Sequence, residues 1–98
     1  MPVLTTSTTA AVVLPRNRLR RSFVIQNEDA VINVFIKRER SESLTVSSTD
    51  HDHRIGPAAA LAVNTLTDGK ESIEDRWSVV ADSGSPIISF FETEDVVR

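Results

Sequence analysis

Short apolar runs separated by polar turns dominate the chain, and the runs have the period of β-strands. In the stretch 77–82, WSVVAD, every second residue beginning with Trp77 would lie on one face of an extended chain. Ser83–Pro86 follows and predicts a turn, because its glycine can take positive φ. The run Ile87–Phe91 is apolar on both faces, so one face should contact the core and the other a second layer or a partner. These elements predict a C-terminal β-hairpin.

A second hairpin is predicted in the N-terminal half of the chain. The apolar run Phe23–Ile25 leads into the polar segment Asn27–Ala30, and Val31–Ile36 returns with apolar residues on both faces. A helix is the competing interpretation for short apolar runs. The β-branched and aromatic residues and the central turn favour strands.

Two further segments have weaker patterns. Residues 37–50 are mostly charged or hydroxyl-bearing, with Leu44 and Val46 as one alternating apolar pair, which predicts a loop and then a short edge strand. Residues 58–66, AAALAVNTL, fit a helix by their alanine content or a strand by their leucine and valine. We favour a strand there, because every neighbouring element is predicted as β.

The first fifteen residues carry no charge and are rich in threonine and alanine. Residues 1–9 fit an extended arm, and Ala10–Leu14 fits a short strand ended by Pro15. Such an arm is either ordered along a neighbouring molecule or disordered. The arginines follow this stretch instead of preceding it, so we expect no secretory signal, and no run of about 20 apolar residues predicts a membrane span.

Together these elements predict an all-β fold, an antiparallel β-sandwich or partly closed barrel of about six to eight short strands. Residues 1–15 form the predicted extended N-terminal arm and residues 16–98 the β-sandwich domain. A chain of 98 residues buries a modest core, so we expect a partner or an oligomer to cover more of its surface. The predicted core consists of one face of each main run: Phe23, Ile25, Val34, Trp77, Val79, Ile88 and Phe90.

The net charge of −3 conceals an asymmetry between the two parts of the chain. Residues 1–40 carry seven Lys or Arg and three acidic residues, a balance of +4, whereas the remainder carries four and eleven, a balance of −7. Net charges of opposite sign in the two parts fit a protein that lies between neighbours of differing charge. They also fit an unevenly charged surface that is simply solvated.

Four arginines precede the first strong strand: Arg16, Arg18, Arg20 and Arg21. Two interpretations remain open. They could bind carboxylates of a partner, or they could be solubilising charges. We take the four as candidate partner-binding residues. We do not expect a nucleic-acid surface, because the basic tract is short, lacks interleaved aromatics and is diluted by the acidic part of the chain.

The tetrapeptide Asp50–His53, DHDH, is the one group of residues that suggests a metal or catalytic site. In a strand, His51 and His53 would share a face and could offer two imidazoles to a metal, but no third ligand follows at a characteristic spacing. The chain has no cysteine, no Gly-x-Ser-x-Gly elbow and no glycine-rich phosphate cradle. We therefore predict no catalytic, cofactor or metal site, and expect that the protein is not an enzyme.

Two segments carry a family resemblance. RRSFVIQN followed by VFI within residues 20–36, and WSVVADSGSPIISFFE in residues 77–92, resemble the opening and closing hairpins of small β-sandwich virion proteins of tailed bacteriophages. In that group an Arg-rich lead-in enters a strand ending in Gln-Asn. The final strand pair of the group carries an aromatic residue, Ala-Asp, Ser-Gly and an alternating strand that ends in Glu.

The resemblance implies an accessory structural protein of the virion, without catalytic residues. Such a capsid decoration or cement protein would bind the major capsid protein on the particle surface, as a trimer or dimer, after assembly in the host cytoplasm. The alternative is a fibre or adhesion module that recognises a host receptor or attaches a fibre to the head or tail. Sugar recognition would need an exposed aromatic ring, and Trp77, the candidate, has a strand position that favours the core.

Overall fold

The computed structural model describes residues 3–40, 43–64 and 73–94 of the chain. As predicted, the fold is an all-β antiparallel sandwich. Eight strands make it up: β1 (Val3–Thr5), β2 (Ala11–Leu14), β3 (Arg20–Asn27), β4 (Val34–Glu39), β5 (His53–Ile55), β6 (Ala60–Asn64), β7 (Arg76–Ala81) and β8 (Ile87–Glu94).

The eight strands form two four-stranded sheets. Sheet A has the order β1-β8-β3-β6, and sheet B has the order β2-β7-β4-β5. The first strand pairs with the last, the second with the second last, and so on inward, which gives the pairs β1–β8, β2–β7, β3–β6 and β4–β5. The chain is therefore doubled back about the β4–β5 connection and then rolled into two layers, which is the jelly-roll form of the sandwich.

The N-terminal segment is extended, as predicted, but it pairs within the sandwich. β1 pairs with β8 at one edge of sheet A, and β2 pairs with β7 at one edge of sheet B. Val13 and Leu14 are buried between the sheets. The expectation of an arm that is free to lie on a neighbour is therefore wrong for residues 3–14, because their backbone groups pair at the edges of their own sheets and Val13 and Leu14 enter the core.

Neither predicted hairpin forms. β3 lies in sheet A and β4 in sheet B, while β7 lies in sheet B and β8 in sheet A. The turns at Asn27–Ala30 and Ser83–Pro86 therefore carry the chain from one sheet to the other. The strand positions were predicted correctly, but a turn signal does not specify whether the next strand pairs with the last one or packs across from it. Gly84 in the second turn has a φ of 60°, the left-handed conformation that favours glycine.

The two weaker strand predictions had different outcomes. β6 confirms the strand expected within residues 58–66. The predicted edge strand around Leu44 and Val46 does not form, and the edge of sheet B is β5 instead. Val46 is nevertheless buried, because the β4–β5 connection packs its side chain on the outer side of sheet B.

The core lies between the two sheets. Rings from both sheets meet there, with the centroids of Phe23 and Trp77 5.2 Å apart and their planes tilted by 58°. Six of the seven predicted core residues belong to this cluster, and Phe90, the seventh, is half-buried against it. The cluster comprises Val13, Leu14, Phe23, Ile25, Val34, Ile36, Ile55, Ile73, Trp77, Val79 and Ile88.

These burial differences predict a graded response to truncation of phenylalanines. Phe23→Ala should lower the free energy of unfolding by about 3–5 kcal/mol, because Phe23 is fully buried and its loss leaves a cavity beside Trp77. Phe90→Ala should cost less, and Phe91→Ala least, since Phe91 is 41% exposed. Urea denaturation of the three variants measures the order, and an unchanged midpoint for Phe23→Ala would contradict this packing.

Candidate functional site

The four arginines predicted to bind a partner do not form one surface. Arg16 and Arg18 are exposed in the loop between β2 and β3, beside Leu19, which is 43% exposed, and Arg21 is exposed at the start of β3. Arg20 is only 2% exposed. Its assignment as a surface residue that binds a partner is therefore wrong, whereas the role of the other three stays a prediction.

Arg20 lies inside one end of the sandwich because β3 is irregular there. Phe23 faces the core, so strict alternation would turn Arg21 inward, but the register with β8 shifts between Arg20 and Ser22. The irregularity places Arg20 on the core side. Because it depends on pairing with a strand about 70 residues away in the chain, alternation along β3 alone predicts the wrong residue.

The guanidinium of Arg20 connects four parts of the chain. Nε donates to Oε2 of Glu92 at 2.5 Å, Nη1 donates to the carbonyl oxygens of Ile73 and Asp75 at 2.8 and 3.0 Å, and Nη2 donates to that of Pro15 at 2.5 Å. Its Cζ also lies 5.9 Å from the centre of the Phe23 ring. The residue is therefore a structural cross-link in which each nitrogen of the fork has an acceptor.

Asn27 plays the same part at the other end of β3. It is fully buried, and its Nδ2 lies 2.7 Å from the carbonyl oxygen of Ile32, 3.2 Å from that of Ile55 and 3.1 Å from that of Gly56. Its Oδ1 accepts a hydrogen bond from the backbone N–H of Asp29 at 3.0 Å. Asn27 thus anchors the turn that crosses to sheet B and the connection that follows β5.

The central part of the outer face of sheet B, formed by β4 and β7, is covered by the chain itself. Residues 43–52 of the β4–β5 connection lie over it, and Val46 packs with Phe35 and Val80 in a second small apolar cluster. At the rim, Lys37 Nζ donates to Asp50 Oδ2 at 2.7 Å. The apolar outer positions of β4 and β7 therefore contact this loop and are not available to a partner.

The carboxylate of Glu39 holds this covering loop in place. It accepts hydrogen bonds from the backbone N–H of Thr45 at 2.5 Å, from Thr45 Oγ1 at 3.0 Å and from Ser78 Oγ at 3.0 Å. Burial alone would raise the pKa of Glu39. The hydrogen bonds from Thr45 and Ser78 and the charge of Lys37 outweigh burial and hold that pKa below its ordinary value.

The two histidines of the DHDH segment do not share a face. The ring of His51 lies 4.7 Å from that of Phe35 on the outer side of sheet B, whereas His53 stacks on Trp77 at 6.1 Å on the core side. The expected common face fails because residue 51 precedes β5 and is not part of a strand. Among the described residues, no group of three or more histidine, aspartate or glutamate side chains could hold a metal ion.

No loop of the described residues covers the outer face of sheet A in this way. The exposed fractions of Val3, Ile87 and Phe91 are 65%, 47% and 41%. By the strand register, eleven uncharged side chains share this face: Val3, Thr5, Ser22, Val24, Gln26, Ala60, Ala62, Ile87, Ser89, Phe91 and Thr93. The exposed Arg21, at the irregularity in β3, adds a charge at one end of the face.

The margins of the face carry the nearest charges. Glu28, just beyond the end of β3, accepts a hydrogen bond from Ser89 Oγ at 2.5 Å. Trp77, the proposed sugar-stacking ring, is 3% exposed and lies in the core, so Phe91 is the aromatic ring that this face presents. Within the described ranges, no helix is long and apolar enough to cross a bilayer.

Removal of the Arg20 guanidinium should destabilise the whole sandwich. Arg20→Met leaves the carbonyl oxygens of Ile73 and Asp75 and the carboxylate of Glu92 without this donor, and we expect a loss of at least about 3 kcal/mol in the free energy of unfolding. Arg16→Met, at an exposed position, should change it by less than about 0.5 kcal/mol. Equal denaturation midpoints for the two variants would show that the Arg20 network contributes nothing.

The Glu39 carboxylate should give the domain a component of acid sensitivity. Because folding lowers the pKa of Glu39, the charged form stabilises the fold at pH values above about 4.3, the ordinary value for glutamate. That contribution is lost as the pH falls through the folded-state pKa. The difference in unfolding free energy between the native chain and Glu39→Gln, measured by urea denaturation from pH 7 to pH 3, should shrink towards acid. A difference that is constant with pH would exclude this role.

Comparison with known proteins adds no family or structural neighbour, since no family model, curated protein or solved structure matches this chain. The functional interpretation therefore rests on the surface chemistry of the sandwich.

Proposed function

We propose that this protein is a non-enzymatic structural protein of a virus particle, which binds capsid subunits on the particle surface as a decoration or cement protein. The observation that carries the proposal is the largely uncharged outer face of sheet A, which no loop of the described residues covers. The resemblance to small phage virion proteins supplies the kind of partner.

The composition of the face favours a protein partner. Charged residues make up 26% of the chain, yet eleven outward positions of sheet A are uncharged, and the nearest charges, those of Arg21 and Glu28, lie at opposite ends of β3. An antiparallel sheet that faces water usually alternates apolar core positions with polar outer ones. Small ligands are typically bound in concave pockets, whereas a broad sheet surface with exposed apolar side chains is typical of contacts between proteins.

The size of the face fits a contact that is weak singly and strong when repeated. Four strands about 4.8 Å apart span about 19 Å, and five residues at about 3.3 Å each span about 17 Å. Such a face is smaller than the surface of about 800 Å² per partner in a typical specific interface. A shell repeats the same subunit many times, and copies that are connected to one another would gain from effective concentration.

The resemblance and the face involve the same strands. The two segments that carry the resemblance, residues 20–36 and 77–92, include most of β3 and β8, which are the two central strands of sheet A. These strands carry Val24, Ile87 and Phe91 on the outer face. Residues 3–14, once expected to act as an arm, support the proposal in another way, since β1 adds Val3 to the margin of the same face.

The second candidate function is recognition of a host surface receptor. Phe91 supports it, because an exposed ring on an uncharged surface can stack on a sugar. On the neighbouring strand β3, the amide of Gln26 lies diagonally across from Phe91 and offers a polar group. The two functions predict different ligands for this face: empty shells for a decoration protein, and host surface glycans for a receptor-recognition module.

A charge placed in the middle of the face should prevent capsid binding. Phe91→Lys should weaken binding to shells assembled without this protein, from the virus whose genome encodes it, by about tenfold or more, because the lysine would be desolvated in the contact. Val31→Lys is the matched control, since Val31 is 78% exposed but lies in the turn after β3.

Cosedimentation of each protein with the shells measures the binding. Loss with Phe91→Lys alone supports the proposal. Equal binding by both variants would remove sheet A from the contact. No binding by the native chain, together with Phe91-dependent binding to a glycan array, would favour receptor recognition.

A further inference from the structure

We propose that the outer edge of β6, which no other described strand pairs with, pairs with β6 of a second copy of this chain, so that the two copies of sheet A form one continuous eight-stranded antiparallel sheet. This inference concerns self-association of the purified protein. Only its consequence for docking rests on the proposed function.

The four edge strands of the sandwich differ in how they are protected from pairing. β1 has three residues, and β5 has three, including the charged Arg54. β2 has a register shift between Val12 and Leu14 and is followed by Pro15. Short length, charge, irregularity and proline are the means by which natural sheets keep edges from joining other chains.

β6 has none of these features. It has five residues, ALAVN, without charge or proline, and its register with β3 runs from Gln26↔Ala60 to Ser22↔Asn64 without a shift. It is the outermost strand of sheet A. Ala60 and Ala62 are exposed. An edge that is regular and uncharged is suited to accept another strand through its backbone groups.

A second copy of β6 is the occupant that the sequence of this edge fits best. Antiparallel pairing of a strand with its own copy is a two-fold contact, in which each residue meets its counterpart symmetrically. Full overlap of the five residues places Ala62 opposite Ala62 of the second copy. No like charges would then oppose one another, and the small side chains would allow the backbones to approach to the usual strand spacing.

This pairing would enlarge the proposed docking surface. The two-fold axis would run perpendicular to the joined sheet, so both outer faces would lie on the same side. The uncharged face would then span about 38 Å across eight strands in place of about 19 Å across four. Such a dimer would double the face from about 320 Å² to about 650 Å², close to the surface of about 800 Å² per partner in a typical specific interface.

The mass of the purified protein in solution tests the pairing without any shell. We expect light scattering after gel filtration to give a dimer of the 10.8 kDa chain that dissociates on dilution. Ala62→Lys and Ala62→Glu should each weaken the dimer by about tenfold or more, since like charges would face one another across the axis. An equimolar mixture of the two should restore it, because the charges are then opposite. Val31→Lys should leave it unchanged.

A thiol provides a second readout that does not depend on affinity. The chain has no cysteine, so Ala62→Cys introduces a single thiol, which should form a disulfide-linked dimer much faster than Val31→Cys on mild oxidation. A native chain that is monomeric up to about 1 mM, or equal cross-linking by the two variants, would overturn the proposal. A dimer that survives both Ala62→Lys and Ala62→Glu would place the contact elsewhere.

Failure of this proposal can be told apart from failure of the proposed function. Phe91→Lys should remain dimeric while losing shell binding, because Phe91 lies on β8, two strands from the β6 edge. Restored pairing in the mixture of Ala62→Lys and Ala62→Glu depends on the β6 edge alone. If the native chain binds shells but is monomeric, only the self-pairing is wrong.

Discussion

β3 carries a buried polar side chain at each of its ends, and these two residues connect sheet A to the segments that lead into and out of sheet B. Arg20 donates to carbonyl oxygens ahead of β7 and after β2, while Asn27 donates to those flanking β4 and β5. Buried polar groups are tolerated only when their hydrogen bonds are made. No buried side-chain nitrogen or oxygen among the described residues lacks a partner. The two sheets are thus held in one relative position by polar contacts at the ends and by apolar contacts between them.

The difference between the two outer faces follows from where the long β4–β5 connection lies. It covers sheet B, where Val46 fills the apolar surface over Phe35 and Val80, and Glu39 holds it through Thr45. Sheet A has no such cover among the described residues. The protein therefore covers the apolar outer positions of β4 and β7 with its own loop, while Val12 of β2 and apolar side chains of sheet A stay exposed among the described residues. Contact with another protein is the use that we propose for the surface of sheet A.

An open face and an unprotected edge on the same sheet have a common physical consequence. Strand pairing at β6 would use backbone groups, whereas docking on the outer face would use side chains that point perpendicular to the sheet. The two contacts can therefore be made at the same time by one copy. In a small domain of 98 residues, the proposed association would supply burial that the single core does not.

The sequence by itself determined the fold class, the positions of the main strands and six of the seven predicted core residues, because alternation and turn residues act over a few neighbouring positions. It also indicated that the run Ile87–Phe91 has a second apolar face. Tertiary structure decided the rest. Whether a turn closes a hairpin or crosses between sheets depends on distant strands, and so does the inward position of Arg20, which arises from an irregularity in pairing with β8. The burial of β2, the separation of His51 from His53 and the choice of which sheet stays open likewise follow from contacts between distant parts of the chain, which local periodicity does not encode.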